Sequence, residues 1–123
     1  MKSGNVIQDK SYLFALKVVK LYKLLIEEKK EFILSKQLLR SGTSIGALVE
    51  EAIGAQTDKD FYSKITVAYK EARETQYWIR LMQDSDLLDK AISKELLNDV
   101  DELQKIICSI QKTVKSKLTP TNS

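Results

Sequence analysis

Residues 37–51, QLLRSGTSIGALVEE, and residues 64–78, KITVAYKEARETQYW, decide the fold. Each is helical by period, and each carries a polar stripe beside its apolar one. The first polar stripe reads Gln37, Arg40, Ser44, Ala47, Glu51, and the second reads Lys64, Val67, Glu71, Glu74, Trp78. Laid antiparallel about a turn near Thr57, they pair Gln37 with Trp78, Arg40 with Glu74, Ser44 with Glu71, Ala47 with Val67 and Glu51 with Lys64. Charged members then meet an opposite charge or a hydroxyl. Each stripe lies about 100° from its own core stripe on the same rotational side, so the two meet when the helices run head to tail. Two readings follow. One is a solvated boundary of ion pairs worth about 0–1 kcal/mol each. The other is a partly buried polar network that fixes register, at a subunit contact among other places. Gln37, Arg40 and Glu74 beside Trp78 favour the network.

Working outward, the same period predicts four helices. Helix one runs from about Asp9 to Glu28 on a core stripe of Phe14, Val18, Leu21 and Leu25. Helix two runs from about Leu34 to Ala55 on Leu34, Leu38, Ser41, Ile45, Leu48 and Ala52. A small-residue face with Gly42 and Gly46 adjoins that stripe. Each glycine inside a helix costs about 1 kcal/mol relative to alanine, which points to close approach of another backbone or to a break between Ser41 and Ser44. Thr57-Asp58-Lys59-Asp60 fits a capping box for helix three, which runs to about Met82 on Phe61, Ile65, Ala68, Ala72, Thr75, Ile79 and Met82. Ser93 can cap helix four, which runs to about Leu118 on Leu96, Val100, Leu103, Ile107, Ile110 and Val114. Pro120 falls in a polar tail. Heptad-like stripes and short connectors predict an all-α, antiparallel up-down-up-down four-helix bundle. Residues 1–123 read as one domain, with a core over about 9–118 and polar termini.

Composition removes several chemistries. The chain has 30% charged and 43% hydrophobic residues, one proline and a net charge of +3. It has no histidine, hence no imidazole base and no Glu-x-x-His di-iron pair. The helical nuclease type with an Arg-x4–6-His motif is excluded for the same reason. Cys108 cannot form an internal disulfide and, beside Ile107, reads as a small buried hydrophobe. Glu71 and Glu74 could imitate a catalytic carboxylate dyad, but both have candidate structural partners. Glu50 and Glu51 point about 100° apart on a helix, which is poor geometry for magnesium. Gly42-Thr43-Ser44-Ile45-Gly46 lacks the lysine and preceding strand of a phosphate loop. The expectation is a non-enzyme with no metal and no cofactor. No apolar run reaches the roughly 18 residues of a membrane span, so the expected location is the cytoplasm, without membrane contact.

Positive charge is expected at one end. Helix one carries Lys10, Lys17, Lys20 and Lys23, and the last turns of helix four carry Lys112, Lys115 and Lys117. Up-down-up-down topology brings those two segments together as a patch suited to a phosphate backbone. An ordinary solvated lysine face, partly offset by Glu50, Asp58 and Asp60, is the competing reading. So is a protein-interaction scaffold that assembles through the small-residue faces of helices two and three.

Four segments carry a family resemblance: LSKQLLRSGTSI at 34–45, Glu50-Glu51-Ala52, KDFYSK at 59–64 and AYKEARETQYW at 68–78. They resemble the four-helix bundle proteins encoded by intervening sequences of bacterial 23S rRNA genes. That family includes the accessory protein of diversity-generating retroelements. The chain departs from it at Ala47-Leu48-Val49, where family members commonly read Ala-Asn. The resemblance implies a homopentamer of four-helix bundles with a non-enzymatic role associated with RNA or DNA. In the retroelement branch it also implies a reverse transcriptase as partner. The modest net charge of +3 favours the intervening-sequence branch.

Overall fold

A computed structural model describes residues 4–118, and the Pro120 tail lies outside them. Four helices follow one another: α1 (Val6–Glu28), α2 (Leu34–Ile53), α3 (Asp58–Asp84) and α4 (Lys90–Leu118). Packing joins α1 to α2, α2 to α3, α3 to α4 and α4 back to α1, with no diagonal pair. Cross-helix partners descend on one helix as they ascend on the next, so each neighbour is antiparallel. The molecule is the expected up-down-up-down bundle.

The helix starts follow from side chains that accept the free backbone N–H groups of the first turn. Thr57 accepts from Asp60 N at 3.0 Å and opens α3, as its sequence predicts. At α1 the cap is Asn5, which accepts from Gln8 N at 3.0 Å and starts the helix three residues before Asp9. At α4 the cap is Asp89, accepting from Ile92 N at 2.8 Å. Ser93, the expected cap, lies inside the helix, buried, with its hydroxyl donating to Asp89 O at 3.0 Å. The start of α2 is capped from a distance. Glu31 accepts from Ile33 N at 3.1 Å, Leu34 N at 3.1 Å and Ser35 N at 2.7 Å. Burial pushes the Glu31 carboxyl up, but the three N–H groups outweigh it and hold it below the ordinary value.

The core is mainly apolar, with Ser11, Ser35, Ser41, Thr75, Ser93 and Gln104 buried alongside it. Leu38, Ile45, Ile65, Ile79, Met82, Leu103 and Ile107 are wholly buried, and each contributes about 1.5–3 kcal/mol by removal from water. On α2 the stripe is rotated slightly from the expected one: Val49 is buried and Leu48 only half-buried. The reason is the glycine face. α2 is an unbroken helix through Ser41–Ser44, and α1 lies directly on it. A Cβ on Gly42 would sit 2.9 Å from Val18 Cγ2, and one on Gly46 would sit 3.3 Å from the Ser11 carbonyl oxygen. Close approach is therefore the reason for both glycines. α1 covers Gly42 and packs close to Gly46, and Ala68 and Ala72 are buried within the bundle, while Ile53 at the end of the α2 face is exposed. Cys108 is half-buried rather than buried, since it stands one residue past Ile107 at the α3–α4 edge.

Candidate nucleic-acid interface

The α2–α3 edge brings most of the expected polar stripe together. Arg40 Nη2 donates to Glu74 Oε2, and Arg40 Nη1 lies 3.4 Å from Glu71 Oε2. Lys64 Nζ meets Glu51 Oε1 at 3.3 Å. Beneath them Thr75 Oγ1 donates to Glu71 O at 2.7 Å and accepts from Ser41 Oγ at 3.0 Å in the core, locking the register. Two expected pairs are replaced by local bonds. Trp78 Nε1 donates to Glu74 Oε2 at 3.0 Å, one turn back on its own helix, rather than meeting Gln37. Ser44 Oγ donates to Arg40 O at 2.6 Å, so Glu71 is left to Arg40. Glu74 accepts Trp78 and Arg40 on the same oxygen. The Trp78 hydrogen bond, with Arg40 behind it and against the opposing effect of burial, holds the Glu74 carboxyl below its ordinary value. The bond to Glu74 raises the Arg40 guanidinium in return. Glu71 and Glu74 are thus both engaged by the same cation.

The α1–α4 edge is different. Lys10 Nζ lies 3.2 Å from Glu102 Oε2, and Lys17 Nζ lies 2.8 Å from Asp99 Oδ2 and 3.1 Å from Glu95 Oε2. Its hydrogen bond to Asp99, with Glu95 assisting and burial opposing, raises the Lys17 ammonium above its ordinary value. These two lysines therefore face the acidic half of α4, not its basic end. Lys112 stands ten residues beyond Glu102, about 15 Å further along the helix. Lys20, Lys112, Lys115 and Lys117 are exposed and make no ion pair among the described residues. The lysines thus fall into two groups, the neutralised pair Lys10 and Lys17, and cations without an ion pair among the described residues, with Lys20 on the same seam and Lys112, Lys115 and Lys117 further along α4. Between α1 and α4 runs an open groove of about 410 Å³ walled by Leu13, Leu16, Lys17 and Asp99. It continues past Leu24 and Ile92.

A third set was not picked out by the sequence reading. Lys70, Arg73 and Arg80 are exposed on α3 and make no ion pair among the described residues. Their signal was present in the chain: all three lie opposite the buried stripe Ile65, Ala68, Ala72, Thr75, Ile79. Among the described residues no group of three His, Cys, Asp or Glu side chains is placed to hold a metal ion. No helix is long and apolar enough to cross a membrane.

Comparison with known proteins agrees with this architecture. No curated protein matches the chain. A crystal structure of a protein of unknown function from the S23 ribosomal protein family of Bacteroides thetaiotaomicron superposes with a TM-score of 0.85. It shares 46% identity over 86% of this chain and 98% of that one. The family model described as 23S rRNA-intervening sequence protein matches residues 4–109, which takes in all of α1, α2 and α3 and the greater part of α4. By that span, and by the likeness of the solved relative, the chain belongs to the family of 23S rRNA-intervening sequence proteins.

Proposed function

We propose that this protein works without catalysis, as a four-helix module that assembles with copies of itself and holds RNA or DNA by the phosphate backbone. The observation that carries the reading is how the charge is divided. Six carboxylates, Glu51, Glu71, Glu74, Glu95, Asp99 and Glu102, are each engaged by a lysine or arginine of a neighbouring helix, while Glu50 accepts from the Gln8 amide. A surplus of exposed cations remains, among them Lys20, Lys112, Lys115 and Lys117. Such a surface attracts a polyanion through counterion release and reads little base sequence. The family's description, tied to 23S rRNA, makes a structured RNA the first ligand to try.

Self-assembly is supported by the α1–α4 groove. Leu13 is 52% exposed, Leu16 43% and Leu24 46%, all along one open seam. A row of half-exposed leucines is the kind of surface that another subunit covers. The sequence resemblance favours five copies in a ring.

The test is fluorescence anisotropy with a labelled 23S rRNA hairpin and a DNA duplex of equal length, across a salt series. The expected result is binding at low salt that weakens linearly in log salt. Absence of binding to both at low salt contradicts the nucleic-acid reading. Light scattering on the same sample should give several multiples of 14.0 kDa. Assembly without any binding instead favours a protein scaffold built on the α1–α4 leucines.

A further inference from the structure

On α3 the residues Lys70, Arg73, Tyr77 and Arg80 recur at spacings of three, four and three, which places them within an arc of about 80° on the outer face. All four are exposed, and from Lys70 to Arg80 the ridge is about 15 Å long at 1.5 Å per residue. The carboxylates of the same helical stretch, Glu71 and Glu74, are turned to α2 and held by Arg40. Two acids remain nearby. Asp84 follows Arg80 by one turn, and Asp101 on α4 is 3.0 Å from Lys105.

Among these cations stands an aromatic ring that is half in water and yet braced. Tyr77 is 52% exposed. Its ring meets the Trp78 ring edge-on, centroids 5.0 Å apart and planes at 68°. The Trp78 indole is itself fixed on Glu74, which Arg40 secures to α2. The polar network of the α2–α3 edge therefore ends in a held tyrosine face. A solvated helix surface accounts for the three cations but gives no reason for a braced, half-exposed ring between them.

Cations spaced along a ridge with an aromatic platform suit one polymer chemistry: a strand of phosphodiesters whose bases are unstacked. A continuous duplex keeps its base faces covered and offers nothing for the ring to stack on. We propose that the outer ridge of α3 is a single-strand or loop-binding surface, with phosphates on Lys70, Arg73 and Arg80 and a base stacked on Tyr77. This rests on the nucleic-acid reading above and narrows it to an unpaired segment and to one helix.

The experiment measures anisotropy of a labelled single strand of about 12 nucleotides, as RNA and as DNA, beside a blunt duplex of the same length. The proteins are the full chain, the Lys70→Gln/Arg73→Gln/Arg80→Gln variant, the corresponding glutamate variant, and Lys112→Glu/Lys115→Glu/Lys117→Glu. Circular dichroism and light scattering show that each variant keeps its helices and its mass. The α3 glutamine variant should bind the single strand at least about tenfold more weakly and lower the salt slope by about 2, as three lost phosphate contacts imply. Tyr77→Ala should weaken single-strand binding about tenfold and leave the duplex unchanged, while Tyr77→Phe retains binding. The fluorescence of Trp78, the one tryptophan in the chain, should change on binding because the stacked base lies beside it. Preference for RNA or for DNA assigns the strand's sugar, and either supports the ridge. Two results overturn it: α3 variants that bind as wild type does while the α4 variant fails, or a Tyr77→Ala variant with unchanged single-strand affinity. If the unaltered chain binds no probe, the broader nucleic-acid reading falls first and this one with it.

Discussion

The α2–α3 edge and the α1–α4 edge carry the same kinds of ion pair, yet one is closed and the other open. At α2–α3 the residues beneath the ion pairs are Ser41, Ala68, Ala72 and Thr75, all fully buried, so the helices approach until the charges form the lid of a packed seam. At α1–α4 the residues beside the ion pairs are Leu13 and Leu16, both half-exposed, and Lys17 reaches across a groove to Asp99. The ion pairs do not decide the difference. Side-chain size under them does, because close packing sets how near two helices come.

Overpacking the closed seam should have the largest effect. Ala72 is fully buried, and Ala72→Leu forces α2, α3 and α4 apart, with an expected loss of about 3 kcal/mol in urea unfolding. A loss as small as that of a surface substitution contradicts the close approach. On the open seam Leu16→Lys should change unfolding by less than about 0.5 kcal/mol, because the side chain already meets water. The same variant should reduce the mass seen by light scattering. An unchanged mass removes this groove from the assembly.

Next come the charges. Arg40→Ala leaves Glu71 and Glu74 without their cation, and the Glu71 side chain is only 19% exposed. The Arg40 side chain is itself 49% exposed, which limits the expected loss to about 1 kcal/mol after screening by water. Lys17→Ala, on the open seam, should lose less than about 0.5 kcal/mol.

The smallest effects are in pH, and they run in opposite directions. Glu74 is held below its ordinary value of 4.5. The unfolded chain therefore takes up a proton more readily than the folded one, and this contribution is complete above that value and lost as pH falls through the folded value. Lys17 is raised above its ordinary 10.5, so its contribution is complete below that value and lost as pH rises through the folded one. Unfolding midpoints measured from acid to alkaline pH should show Glu74→Gln flattening the acid limb and Lys17→Gln the alkaline limb. A Glu74→Gln variant with an unaltered acid limb removes that carboxylate from the stabilising network.

The sequence made the bundle legible because buried faces repeat every 3.6 residues over all four helices. The α2–α3 register was legible as well, since Arg40, Glu51, Lys64 and Glu74 admit one antiparallel alignment that pairs opposite charges. What escaped was local competition and stagger. Trp78 and Ser44 each have an acceptor one turn away on their own helix, nearer than any partner across the seam. Asp89 and Ser93 both suit a helix start, and the choice fell to Asp89 because Leu88 is anchored in the core just before it. Lys10 and Lys17 were expected beside Lys112, but periodicity carries no information on how far α4 extends past α1. The α3 ridge has no signature in paired stripes, because Lys70, Arg73 and Arg80 make no ion pair with a neighbouring helix among the described residues.

A double-mutant cycle on Arg40→Ala and Glu74→Gln, set against one on Lys17→Ala and Asp99→Asn, tests the central claim most directly. The claim predicts a coupling energy of about 1 kcal/mol across the closed seam and under about 0.5 kcal/mol across the open one. Equal couplings, or none between Arg40 and Glu74, contradict a bundle whose second and third helices are locked in this register.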